Sequence, residues 1–338
     1  MHAIRLYSFG PAENLRYESV PDPLPGPGEV RIAVHAVGVH FIETLFRQGI
    51  PIGPHPAPDL PTTFGREVAG VVESVGEGVG AGVLGSRVVT SQVTSGGYAS
   101  LAVAPAAGLT VLPDGLEYDA AVAMQSTGAT TLGLLEVAPV TASDVVLVMA
   151  AAGGIGTLLV QHARRVGATV VGAASGPAKA ARVRSLGADL AVDYGTPGWT
   201  DVVRESVGDV TIVFDGVGGE LGRAAFELLG GEAADRRGEG TFGPGAEGGR
   251  QVVFGQASGE WFHPEEDELK ARGVTSYDGI AYLLGRQGGM DDLRDRALEA
   301  AANGELTPAV QSFPLERAAA AHAALESRNT MGKVILTP

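Results

Sequence analysis

One stretch limits the fold more than any other: VVLVMAAAGGIGTLLVQHARRVGA, residues 145–168. Its opening apolar run reads as a strand buried on both faces, which requires a sheet with helices on each side. The run gives way to small residues, Ala151-Ala152-Gly153-Gly154-Ile155-Gly156, and then to a polar-faced helical pattern. A strand, a glycine turn and a helix in that order predict the first unit of a doubly wound parallel sheet. The start of such a helix offers bare N–H groups to a phosphate.

The grammar continues downstream. Apolar runs at 169–174, 190–193, 210–215 and 251–254 extend the sheet, and helical patterns at 156–167, 177–187 and 219–229 separate most of them. Upstream, residues 1–120 hold short alternating runs broken by Gly and Pro, such as 29–37 and 67–75, the mark of a compact, largely β domain. A length of 338 residues suits two domains. The Gly-rich, charged segment 231–250 lacks periodicity and reads as a surface loop, with a functional lid as the second reading. A helix around 290–303 and a helix-to-strand unit, LERAAAAHAALESRNTMGKVILTP, follow, and this tail is expected to return to the first domain.

Composition narrows the chemistry. The chain has no cysteine, which removes disulfides, thiolate zinc sites, iron–sulfur clusters and a cysteine nucleophile. A formal charge of −15 makes nucleic acid and anionic membrane poor partners, although an anionic cofactor needs only a local positive site. The start of the chain lacks a signal-peptide pattern, and the run at 145–160 is short for a membrane span and interrupted by glycine. A soluble, cytoplasmic protein is expected.

In the glycine turn, Ala151, Gly153 and Gly156 stand at the three positions where a dinucleotide fingerprint places glycine. The nucleotide type is read at the end of the second strand. An NAD site wants an acid there for the ribose 2′-hydroxyl. This chain instead runs Ala173-Ala174-Ser175-Gly176-Pro177-Ala178-Lys179, whose Ser175 and Lys179 suit the 2′-phosphate of NADPH.

With these motifs in view, the chain resembles the medium-chain dehydrogenase/reductase superfamily, and within it the zinc-free quinone oxidoreductase (zeta-crystallin-like) branch. The resemblance runs nearly end to end. It rests on GVHFIETLFRQG at 38–49, FGREVAGVVESVG at 64–76, STGATT at 126–131, AAGGIG at 151–156, VFDGVGG at 213–219, VVFGQASG at 252–259 and AHAALESRNTMGKVILTP at 321–338. It implies an α/β protein with two parts. One is a GroES-like β-rich catalytic domain from 1–125 and 262–338; the other is an NADP-binding Rossmann domain from 126–261. An edge strand near 273–277 is a candidate for the Rossmann sheet.

The resemblance also implies roles. Gly153, Gly154, Ile155 and Gly156 fall on the pyrophosphate turn; Ser175, Lys179 and Tyr194 fall where the family grips the 2′-phosphate. Val217, Phe254 and Gly255 line the nicotinamide side, Thr127 and Thr130 lie in the helix facing the cofactor, and Arg328 and Lys333 match tail positions that approach it. The zinc-dependent branch has its first ligand where His40 stands here, its Gly-His-Glu motif where Gly65-Arg66-Glu67 stands, and its third ligand where Ala123 stands. Arg66 is a permanent cation and cannot replace a ligating imidazole, so no metal is expected.

Hydride transfer from NADPH to a quinone or another conjugated carbonyl follows as the expected activity. His40 is the candidate hydrogen-bond or proton donor, with Thr127 beside it as a second catalytic candidate. Glu43 reads as a structural carboxylate holding backbone or His40, and Glu67 with Arg66 as a buried ion pair. Common members carry Asn at position 40 and Tyr at 45 and 50; this chain carries His40, Leu45 and Ile50, which suits an enone or enoyl thioester as well as a quinone. An enoyl reductase of secondary metabolism and a non-catalytic NADP-binding protein are the alternatives. The family's habit of pairing through an edge strand implies a homodimer, here near Gly273 to Tyr277.

Overall fold

A computed structural model of the chain describes residues 1–51, 56–230 and 248–338. They form two units, one of Met1–Gly128 with Arg294–Pro338, the other of Ala129–Leu293. Most of the segment 231–250 falls outside the described residues.

The first unit starts with an antiparallel pair, β1 (His2–Leu6) and β2 (Leu15–Ser19). β3 (Glu29–Val39) follows and leads directly into α1 (Phe41–Arg47). Next come β4 (Val68–Val75), β5 (Arg87–Thr90), β6 (Leu101–Pro105), β7 (Thr110–Val111) and α2 (Tyr118–Ala123). A π-helical turn at Met124–Gly128 carries the chain into the second unit.

That unit begins with α3 (Ala129–Val137), β8 (Val145–Met149), α4 (Gly154–Arg165), β9 (Thr169–Ala174) and α5 (Pro177–Ser185). It continues with β10 (Leu190–Asp193), α6 (Trp199–Val207), β11 (Ile212–Asp215), α7 (Gly219–Phe226) and β12 (Arg250–Val253). α8 (Glu266–Arg272), β13 (Thr275–Asp278) and α9 (Gly279–Gly285) complete it. α10 (Asp291–Ala302) holds the return crossing, after which β14 (Val310–Pro314), α11 (Ala318–Glu326) and β15 (Lys333–Thr337) belong to the first unit.

The second unit is a parallel sheet in the order β10-β9-β8-β11-β12-β13. Every residue of β8 is buried because its two faces feed two cores. Val146 and Val148 pack with Val170, Phe214 and Leu159; Val145, Leu147 and Met149 pack with Val171, Val213 and Phe226. Each such side chain contributes about 1.5–3 kcal/mol on burial, and a strand apolar on both sides has no stable place except inside this sandwich. The first unit's sheet runs β14-β15-β3-β4-β5-β7, with β6 also paired to β3. β3 alternates as a one-sided core strand should, burying Val30, Ile32 and Val34 among the residues between them.

The division differs from the expected boundary at 262. Residues up to 293 stay with the Rossmann sheet. The reason lies in pairing and burial: β13 adds to β12 in parallel, Leu283 of α9 joins the core around Val252, and Phe262 and Leu269 pack on the opposite core. α6 is not marked by the sequence pattern; it forms because Trp199 and Val203, four residues apart on one helical face, are buried against that core.

Candidate functional site

The glycine turn sits where the sheet order reverses. From β8 the chain moves outward through β9 and β10, then returns to the other side of β8 for β11, β12 and β13. Ligands of open α/β sheets bind at such a switch point, beyond the carboxyl ends of the strands. After β8 the backbone turns at Ala150, with φ of +50°, and Gly153 caps α4 without a side-chain hydrogen bond. The first intrahelical bonds begin at Thr157, whose N–H reaches Gly153 O at 2.9 Å, so the amides of Gly154, Ile155 and Gly156 precede them. A Cβ on Gly156 would lie 2.4 Å from Ala150 O and 2.7 Å from Ala151 Cα, so helix and strand meet there with no space for a methyl group. A Cβ on Gly153 would meet only Ala150 O, at 3.2 Å. Half-buried main chain at Gly153–Ile155, at the helix N-terminus, fits a diphosphate.

The neighbouring corner collects three expected residues. Tyr194 N donates to Ala174 O at 3.1 Å, tying the end of β10 to the end of β9. Lys179 Nζ lies 3.4 Å from Ser175 Oγ. The carboxylate at this corner, Asp193, accepts from Gly176 N at 2.8 Å and Gly195 N at 2.9 Å through Oδ1, so it organises the turn.

Asp215, which sequence reasoning passed over, organises the loops holding Val217, Phe254 and Gly255. Its Oδ1 accepts from Val217 N at 2.8 Å and Gly218 N at 3.0 Å, and its carbonyl from Phe254 N at 2.8 Å. Burial pushes the Asp215 carboxyl up; the two N–H donors and His263 oppose that shift. Thr130 lies in the first turn of α3, and Thr127 in the π-helical turn of the other unit. Arg328 is exposed and takes φ of +56° just after α11.

In the first unit, strand register builds a second site. β15 pairs with β3 through Val334 opposite Val39, which sets Lys333 beside His40; β4 pairs with β3 through Val68 opposite Val37, which sets Glu67 beside Gly38. A Cβ on Gly38 would lie 2.1 Å from Glu67 Oε2, so only glycine leaves space for the carboxylate. His40 Nε2 is 2.9 Å from Glu67 Oε2, Lys333 Nζ is 3.2 Å from the same oxygen, and Nζ is 3.0 Å from His40 Nε2 and 3.3 Å from its Nδ1. Glu67 and Lys333 are 1% and 7% exposed, while His40 is 34% exposed. Burial alone would push the Glu67 carboxyl up. Lys333, His40 and a hydrogen bond from Ser126 in the π-helical turn outweigh it and hold the group at about 2. The cation of this pair is therefore Lys333, and the expected partner Arg66 is exposed.

Beneath the cluster lies a buried relay. Glu43 accepts from His40 N at 2.8 Å, Gly65 N at 3.0 Å and the Tyr98 hydroxyl at 2.8 Å, which bears out its structural reading. Tyr98 Oη also lies 3.1 Å from His322 Nε2. Burial, then the charge of Arg47, lowers His322 to about 3, so this imidazole is neutral. The relay fixes the backbone on which His40 and the Gly65–Glu67 turn stand.

Two family models match the chain: the alcohol dehydrogenase GroES-like domain over residues 26–114 and the zinc-binding dehydrogenase over 186–336. A 2-haloacrylate reductase from a Burkholderia species is 32% identical over 345 residues, covering 98% of both chains. The chain belongs to the medium-chain dehydrogenase/reductase superfamily. Within it the quinone oxidoreductases are its relatives. A mycobacterial quinone oxidoreductase structure is 34% identical with a TM-score of 0.79, and an Escherichia coli quinone oxidoreductase complexed with NADPH is 27% identical with a TM-score of 0.81. Each of these structures covers 100% of this chain and is itself covered over 100% of its length. The two units are accordingly a GroES-like domain and a Rossmann domain.

The second model's description raises the question of zinc, and the donor set answers it. His40 and the motif carboxylate Glu67 remain as donors, but Arg66 and Ala123, where two further ligands would stand, offer none. The ammonium of Lys333 already lies within hydrogen-bond distance of both His40 and Glu67 and supplies the positive charge there. These residues do not fit a zinc ion.

Proposed function

We propose that this chain is an NADPH-dependent reductase that acts on a quinone or another conjugated carbonyl compound. The observation that carries this reading is the glycine turn at the switch point of the Rossmann sheet, with Ser175, Lys179 and Tyr194 gathered at the adjoining corner. NADPH, when bound, supplies a hydride to an electron-poor carbon. The amides of Gly154, Ile155 and Gly156 hold its diphosphate beside Gly153, Ser175, Lys179 and Tyr194 its 2′-phosphate, and Val217, Phe254 and Gly255 border its nicotinamide, with Thr127, Thr130 and Arg328 as further contacts. The His40–Glu67–Lys333 cluster serves the acceptor.

Within that class we favour an activated alkene over a quinone. Leu45 and Ile50 replace the tyrosines of common members, and a relative named for 2-haloacrylate reduction supports the preference. We extend the reading to a homodimer through β13, the outermost strand of the Rossmann sheet.

Loss of NADPH absorbance against a panel of quinones, enones and 2-haloacrylates tests the activity. Turnover with at least one acceptor, and higher kcat/KM for the alkenes, is expected. NADPH binding without turnover on any of them would leave an inert nucleotide-binding protein.

A further inference from the structure

We propose that Asp193 sets the nucleotide preference of the Rossmann unit. It is a positioning residue: its side chain clamps together the two turns that carry Ser175 and Tyr194, and so spaces the groups that grip a 2′-phosphate. The inference rests on the NADPH reading above and adds to it a residue that acts through its neighbours.

An acid here is at first sight misplaced. In a doubly wound sheet the adenosine ribose is read at the end of the second strand, which in this unit is β9. Asp193 ends the adjoining strand, β10, opposite Ala174 in the parallel register. An acid at this corner suits the 2′-hydroxyl of NADH and repels the extra phosphate of NADPH. The structure gives Asp193 a different task. Its Oδ1 accepts from Gly176 N at 2.8 Å and from Gly195 N at 2.9 Å, one amide from the turn after each strand.

Those two bonds make a bridge. Gly176 directly follows Ser175 and caps α5, which carries Lys179 at its third position. Gly195 directly follows Tyr194. The main chain ties Tyr194 N to Ala174 O at 3.1 Å, the last residue of β9. The Asp193 side chain carries that tie two residues further, to Gly176. Gly176 takes φ of +82°, and a Cβ there would meet no atom within 4 Å, so no neighbour packs on that side of the turn. Its register against β10 comes from the bond to Asp193. Lys179 Nζ lies 3.4 Å from Ser175 Oγ, so slippage of this turn moves the hydroxyl and the start of α5 away from Tyr194 together. The adenosine and diphosphate sites do not depend on that spacing; the 2′-phosphate grip does.

The clamp needs an acceptor oxygen rather than a charge. An amide at position 193 offers the same oxygen and removes a negative charge beside a phosphate site. Charge and geometry can therefore be separated by two substitutions at one position.

Calorimetric titration of the full chain, with no acceptor substrate present, tests this. The probes are NADPH, NADH, 2′,5′-ADP and 5′-AMP. Asp193→Ala is expected to weaken NADPH and 2′,5′-ADP about tenfold, the scale of one charge-assisted contact, and to leave NADH and 5′-AMP within about threefold. Asp193→Asn should hold NADPH at least as tightly as the wild type does. If Asp193→Ala does not fold, Asp193→Ser takes its place: its hydroxyl is too short to reach both glycines, and the same loss confined to the 2′-phosphorylated probes is expected. Equal weakening of every probe would make Asp193 a general scaffold residue. A loss in Asp193→Asn as large as in Asp193→Ala would put its role in the charge, and no loss in Asp193→Ala or Asp193→Ser would leave the clamp idle. Each of these overturns the proposal. Wild type that binds 2′,5′-ADP no better than 5′-AMP defeats the NADPH reading itself, before any variant is compared.

Discussion

The Rossmann unit and the GroES-like unit build their sites from different materials. In the first, the proposed diphosphate site is main chain at the start of α4, where the absence of a side chain at Gly156 lets helix and strand meet. In the second, three charged or polar side chains meet at one oxygen, Glu67 Oε2, and come from strands and turns far apart in the chain. A main-chain site tolerates loss of side chains around it and fails when a Cβ is added. A side-chain site fails when a functional group is removed.

That contrast can be broken most forcefully at Gly156. Gly156→Val places carbon against Ala150 O, where even a Cβ lies at 2.4 Å, and parts helix from strand. Overpacking of this kind costs about 1–3 kcal/mol or more, and NADPH affinity should fall about 100-fold, read by fluorescence titration alongside a thermal melt. Near-normal binding would mean that the turn is not a phosphate site. A milder test asks whether any side chain matters in this half. Lys179→Ala should weaken NADPH about tenfold through loss of one charge-assisted contact and leave NADH unaffected. Equal loss for both nucleotides would place Lys179 away from the 2′-phosphate.

The smallest effect sharpens the other half. His322 is depressed from 6.5 to about 3, so the fold prefers it neutral. Its contribution is complete above 6.5 and drains away as pH falls toward about 3, because the unfolded chain takes up the proton first. Glu67, lowered from 4.5 to about 2, adds acid sensitivity only below about 4.5, outside the interval between pH 7 and pH 5. His322→Gln should therefore flatten the fall in Tm between pH 7 and pH 5 by about 3 °C, measured by calorimetry. An unchanged slope would assign that sensitivity elsewhere.

The same contrast explains what could be read before the structure. The Rossmann strands and the turn at 151–156 are legible because their information is local: an apolar run, small residues, a helix start. Ser175, Lys179 and Tyr194 become neighbours through adjacent parallel strands, one step removed from sequence. The partnership of Lys333 with His40 spans 293 residues and exists only through the register of β15 on β3. Adjacency made Arg66 the natural partner for Glu67, and nothing local contradicts it. Likewise the short strand near 273–277 is only a candidate for the Rossmann sheet in the sequence; its ladder to β12 puts it there and moves the boundary from 262 to 293.

The interruption of one unit by the other has a consequence for assembly. The Rossmann unit is continuous in sequence, whereas β3 of the GroES-like sheet must wait for β15. The crossing at Gly128 stands close beside α10, where a Cβ on that glycine would lie 3.1 Å from the Ala297 Cβ. An insert that has already collapsed returns its two ends to nearly the same place and replaces a long floppy loop with a short closure. A lesion that delays collapse of the continuous half is therefore expected to surface first as misassembly of the half that is split in sequence.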